Sequence, residues 1–356
     1  MEWELLGIIL AGMVAFTCYF FKIPLPLPVA NTSKDIREDR FDILRGFSMI
    51  GIVMIHIHSY FQFFHPADSQ IIQSTLFFSN LARFSVPIFI LTSAIFLRKK
   101  HGYWTSKLNH LIIPYVVFSI LGYLIKYKDY QLFEFFEFLL LGKVFTPFYF
   151  VPLLLQFYML FFIFDSVFTN EKWQDSLLLL AFLTNFGSNI GIFDSILPKQ
   201  YHAISILNYI FFFVLGIRIG KNQIENTQVL QRTKYIFSVY LVVFIVLLII
   251  NSFIFEYDLK NHHTIYPIFM MIFFWNYLNQ FNRRVTKILC FIGNQSLYIF
   301  LLHPFIIHFM HSVDPYIFGG PTLGYFFTLV LNVGIPSFAA FIIQKGKFLY
   351  QSHRLT

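Results

Sequence analysis

The sequence is short of charge. Asp, Glu, Lys and Arg make up 12 % of the chain, about half of the roughly 25 % with which a soluble globule covers its surface. A chain that cannot cover itself with polar groups must meet hydrocarbon, which excludes a soluble enzyme, a nucleic-acid-binding module and a disordered protein. Cysteine is nearly missing too. Cys18 and Cys290 both lie in or beside apolar runs, leaving neither a disulfide framework nor a thiolate metal cluster. Internal repeats, low-complexity linkers and the ten-residue alternation of a membrane barrel are all lacking. What is abundant is apolar bulk: 57 % hydrophobic residues, with 50 Phe among 356 residues. In lipid, runs this uniform must be helices, because a helix satisfies its own backbone. The expectation is an all-α, polytopic membrane helix bundle in a lipid bilayer, with no nucleic-acid partner despite a net charge of +8.

A span needs about 20 mostly apolar residues. Eleven runs qualify: 3–21, 43–64, 76–97, 108–126, 147–168, 175–195, 203–220, 235–256, 265–281, 287–311 and 322–343. The first starts with Glu2 and Glu4, carries no Lys or Arg before Lys22, and is followed by no small-residue cleavage site. It therefore reads as a retained helix rather than a signal peptide. Residues 1–37 form an extra N-terminal helix and linker, and residues 38–356 the main bundle. The stretch 131–142 is too short to span, and Glu134 and Glu137 on one face suit a helix lying in the interface. If the loops alternate sides, one set holds 20 of the 26 Lys and Arg and the other holds five, with Arg83 left inside a span. The positive-inside bias then puts the rich set in the cytoplasm, the N-terminus outside and the C-terminus inside a cell membrane.

Polar side chains within spans are costly and each needs a reason. His56 and His58 lie two apart in the second run, about 200° around a helix, so they cannot chelate one metal and only one can face the bundle interior. A helix–helix hydrogen bond is the plain reading of a lone membrane His. His308 and His311 share a face, but two ligands do not make a zinc site. No metal is expected.

Four segments carry a resemblance. Arg40-Phe41-Asp42-Ile43-Leu44-Arg45-Gly46 is followed eleven residues after Arg45 by His56. Arg83-Phe84-Ser85-Val86-Pro87-Ile88-Phe89 runs on to Ser93. Phe148-Tyr149-Phe150-Val151 precedes Gln156 and Tyr158, and Ser296 leads into Leu301-Leu302-His303-Pro304. Taken in order, these resemble the acyltransferase 3 family over roughly residues 38–343. The spacing of Lys107, Pro114, Gly142 and Gln156 is similar to that of its intercellular-adhesion C branch, which is linked to succinylation or export of poly-N-acetylglucosamine. The resemblance implies about ten core helices and transfer of an acyl group from cytoplasmic acyl-CoA to a glycan acceptor. It implies His56 as general base or transient acyl carrier. One departure stands out. Where many members carry an Arg-x-x-Arg pair, this chain reads Lys107-Leu108-Asn109-His110, which keeps part of the charge without the bidentate grip of two guanidiniums.

Helix rise offers a separate test. At 1.5 Å per residue, His56, Arg83, Gln156 and His303 all fall roughly 16–24 Å up a core about 30 Å thick, which points to a common polar layer. In a dry layer a neutral His56 can accept a proton from a sugar hydroxyl, and Arg83 can stabilise an oxyanion. The alternative for Arg83 is a snorkel to headgroups. Arg45, oriented by Asp42 and joined by Arg40, Lys107 and His110, is a candidate for binding CoA phosphates, against a reading as topological charge. Gln156, Tyr158 and His303 are candidate substrate contacts, although His303-Pro304 also fits a helix irregularity. A polysaccharide or small-solute exporter is the rival function, since transporters also place polar groups at mid-membrane.

Overall fold

The computed structural model describes residues 39–66, 69–127, 129–168, 170–221, 231–255, 258–259, 264–277, 281–314, 317 and 319–354. The expected N-terminal helix at 3–21 lies outside the described residues. Among those described there is no strand. The helices are α1 (Asp39–Phe64), α2 (Gln70–Leu81), α3 (Ser85–Ile95), α4 (Tyr103–Lys126), α5 (Leu132–Leu141), α6 (Phe150–Phe168), α7 (Glu171–Asn189), α8 (Ile210–Lys221), α9 (Gln231–Ile250), α10 (Ile265–Tyr277), α11 (Arg283–Asn294), α12 (Ser296–Met310) and α13 (Pro321–Arg354). Among the described residues six spans are long and apolar enough to cross a membrane, or seven if the bent pair α11–α12 counts as one. The chain is a multi-pass membrane bundle.

Local chemistry sets the breaks that matter. Helices α2 and α3 form one span, Ile71–Ile95, interrupted by a 3₁₀ turn at Ala82–Phe84. The cause is Pro87, which has no N–H to give and whose ring crowds the carbonyl four residues back, that of Arg83. Arg83 therefore sits where the ladder is loosened. The run 287–311 is not one straight helix. It bends by 77° between α11 and α12, at Gln295. Helix α11 (RRVTKILCFIGN) is amphipathic and not apolar enough to span, and Asn282 caps it by accepting from Arg284 N at 2.9 Å. The run 203–220 also shortens, because its helix begins only at Ile210. The short helix expected within 131–142 is present as α5, with no buried residue, and ends at Gly142 with φ +66°.

Helix α1 is the central post, packing on α2, α3, α11, α12 and α13. Its first turns touch α11 backbone to backbone. Gly46 meets the Leu289 carbonyl and Gly293 meets the Asp42 carbonyl, with no room for a Cβ at either. Small residues at such a crossing replace the hydrophobic drive that lipid does not supply. Arg98 is likewise spent on structure, donating to the Ile95, Leu97 and Gly220 carbonyls at the ends of α3 and α8.

Candidate functional site: a histidine between two cavities

The two α1 histidines divide as their 200° separation requires. His58 is buried against α2, where its Nδ1–H donates to Thr75 Oγ1 at 2.9 Å while the Thr75 hydroxyl donates to the Ile72 carbonyl at 3.1 Å. That is the plain helix–helix bond. His56 faces the other way and lines two cavities at once. The larger, about 440 Å³, is walled by α1, α12 and the segment from Lys126 to Pro147. The smaller, about 180 Å³, also holds Arg83, Tyr149 and Asp258. His303 of α12 lies beside His56, with ring centroids 5.5 Å apart and planes inclined by 38°. Its orientation follows from Pro304. With no N–H at 304 the Phe300 carbonyl loses its helical donor, and the His303 ring hydrogen-bonds to the backbone of Ile299, at 2.8 Å from Nδ1, and of Phe300. His303 is fully buried, and its Nε2 has no hydrogen-bond partner in the protein.

Arg83 is only 7 % exposed and forms an ion pair with Asp258, which is 56 % exposed. It thus reaches an acid of the same protein rather than headgroups. Asp258 is held in place by Asn80, one turn before Arg83. Asn80 Oδ1 accepts from Leu259 N at 2.9 Å, and its Nδ2 donates to Ser252 Oγ at 3.1 Å. The hydroxyls of Tyr149 and Tyr209 hydrogen-bond to each other, and Tyr149 lines the smaller cavity.

The expected donor residues gather about 16 Å toward the N-terminus of α1, eleven residues of helix from His56. Arg45 donates to the Thr92 carbonyl at 3.3 Å and lies 5.6 Å from the Phe96 ring. Lys107 Nζ lies 3.9 Å from the centre of the Tyr158 ring and 5.5 Å from that of Tyr103, whose hydroxyl donates to the Tyr158 carbonyl at 3.1 Å. Arg45 and Lys107 are within electrostatic range of each other. Asp42 is buried in the α1–α11 crossing, Arg40 is half-buried at the same end, and His110 is exposed with Nδ1 on the Ser106 carbonyl at 2.9 Å. The structure therefore brings together His56, His303 and Arg83 at one level, and Arg45, Lys107 and Tyr158 at another. Gln156 joins neither. Its amide donates to the Ile204 carbonyl at 2.8 Å, fastening the turn before α8.

Sequence reasoning did not find Asp258 or Asn80, although a polar Asn80 within an apolar run is a signal. It met Tyr149 only within an aromatic segment, and His308 and His311 only as too few ligands for zinc, not as the wall of a cavity. Among the described residues no group of three metal-ligating side chains exists.

Comparison with known proteins follows this geometry. A family described as an acyltransferase domain matches residues 38–341. Proteins from Staphylococcus aureus strains MSSA476, MRSA252 and MW2 bear the name probable poly-β-1,6-N-acetyl-D-glucosamine export protein. Each is 26 % identical over 263 residues, covering 64 % of this chain and 70 % of the relative. No solved structure matches.

Proposed function

Since the chain belongs to the acyltransferase 3 family, we propose that it moves an acetyl or succinyl group from acyl-CoA to a hydroxyl of a cell-surface or lipid-linked glycan. The observation that carries this reading is His56, an imidazole on the shared wall of two cavities with His303 and Arg83 at its level. The acceptor hydroxyl gives its proton to His56 as its oxygen attacks the thioester carbonyl. Arg83 steadies the negative charge on the carbonyl oxygen. The C–S bond then breaks, the ester forms, and the proton passes to the CoA sulfur. Arg83 suits this role because its low exposure limits screening by water, while Asp258 fixes its position. The transient acyl-histidine variant uses the same residue, with the imidazole nitrogen attacking first.

On this reading the Arg45–Lys107 end faces the cytoplasm of a plasma membrane, as the positive-inside bias favours. Arg45 and Lys107 receive the CoA phosphates, with Tyr158 holding the Lys107 ammonium over its ring. Arg40 flanks them, Asp42 anchors the crossing on which they stand, and His110 lies at the rim.

Glycan export is a second reading, favoured by the names of the relatives. Compositional analysis of surface polysaccharide with and without the gene separates the two. Loss of O-acetyl or O-succinyl groups supports transfer. Glycan retained inside the cell with unchanged acylation supports export and removes the enzymatic reading.

A further inference from the structure

The larger cavity has a composition that acyl transfer alone does not explain. Its lining includes Lys126, His308 and His311 and, among the described residues, no carboxylate. Aromatic and proline carbons, among them Phe63, Phe145 and Pro147, make up much of the remaining wall. At about 440 Å³ it lies within the range of small-molecule sites. Lys126 brings a positive charge to this wall, and His308 lies within electrostatic range of both Lys126 and His311.

The donor inventory fits an anion with several oxygens. Lys126 uses one N–H on the Val144 carbonyl at 3.1 Å, leaving two of the three that an ammonium carries. His311 ties Nδ1 to the Ile307 carbonyl at 2.7 Å, so its Nε2 donates to an anion only as the imidazolium and otherwise accepts from a protonated phosphate oxygen. The Tyr60 hydroxyl, by contrast, is committed to the Met310 and Val313 carbonyls and only shapes the wall. His56 borders this same cavity, so a ligand anchored at the three basic side chains presents its neighbouring groups to the imidazole.

We propose that Lys126, His308 and His311 form a phosphoryl-binding site, and that its occupant is the phosphate of a lipid-linked glycan whose hydroxyl His56 serves. A bilayer phospholipid headgroup has the same chemistry, and the test distinguishes the two. The assignment of the hydroxyl to His56 rests on the acyl-transfer reading; the phosphoryl site itself does not.

The test uses the full chain purified in an uncharged maltoside detergent. The probes are farnesyl-diphosphate-linked N-acetylglucosamine and neutral octyl N-acetylglucosaminide, with affinities read by thermophoresis. The phosphorylated probe should bind more tightly than the neutral one. The triple change Lys126→Gln, His308→Gln, His311→Gln should weaken it by at least about tenfold, the size expected for lost hydrogen bonds to a charged group. The single change Lys126→Gln, at an exposed side chain, should weaken it in the same direction with unchanged thermal unfolding, while Lys126→Arg keeps binding. Binding is read without acyl-CoA and needs no acyl transfer, so the site can stand even if the enzymatic reading falls. Equal affinity for both probes, or undiminished binding by the triple variant, overturns the site. Phosphatidylglycerol nanodiscs that displace the probe where phosphatidylcholine does not would assign the occupant to the bilayer and overturn the lipid-linked acceptor.

Discussion

His56 and His303 come from opposite ends of the chain and meet with ring centroids 5.5 Å apart. One lines both cavities, while the other is sealed and tethered to the backbone of its own helix. On the acyl-transfer reading, His303 is a positioning neighbour of His56. His303→Phe keeps a ring in the space and removes the nitrogens. Acyl transfer should fall by about 10–100-fold, below the 10²–10⁴-fold typical of removing a general base. The KM for acyl-CoA should stay at the wild-type value, and Michaelis kinetics on purified protein check this.

His58→Ala should behave in the opposite sense. It deletes the hydrogen bond to Thr75, worth about 0.6–2 kcal/mol between membrane helices. A lower unfolding temperature with wild-type turnover per folded molecule is the expected result. Turnover lost along with His58 would mean that the division of labour along α1 is wrong.

Asn80→Ala leaves the buried Leu259 N–H without its acceptor, at a cost of about 1–3 kcal/mol. It also frees the segment that carries Asp258, so turnover should drop more than stability accounts for. Asp258→Asn keeps the shape but removes the charge that Arg83 meets, and should lower kcat with little change in unfolding, since Asp258 is more than half exposed. Equal kcat in Asp258→Asn and wild type would return the ion pair to a structural role.

At the other end of α1, Arg45→Ala and Lys107→Ala should each weaken acyl-CoA binding by roughly tenfold or more, as expected for charge-assisted contacts to phosphate. Because the two side chains influence one another, the double variant should lose less than the sum of the single losses in free energy. Isothermal titration with acetyl-CoA reads all three. Strict additivity would place the two residues at separate sites.

Helices were legible in the sequence wherever length and apolarity decide the outcome, and this covers most spans from α1 to α13. The bend at Gln295 was hidden, because the run 287–311 joins the half of α11 that begins at Lys287 to the apolar residues of α12 and averages the two. Depth arithmetic puts His56, Arg83, Gln156 and His303 in one layer, since helix rise is fixed. The structure sets His303 beside His56 and Arg83 on a cavity with His56, while Gln156 turns to Ile204, because depth carries no azimuth. Gln156 and Tyr158 are two apart on α6 and so point to different sides, one fastening Ile204 and the other stacking under Lys107. Asp258 was invisible because an acid near the end of a span reads as ordinary flanking charge. Only tertiary packing through Asn80 brings it to Arg83.

The most direct measurement of the central claim is transfer of radiolabel from acetyl-CoA and succinyl-CoA to a glycan acceptor by purified protein, comparing wild type with His56→Ala at equal folded concentration. The account predicts label in the glycan with at least one donor for wild type, and none above background for the variant. Label transferred equally by both proteins would contradict it.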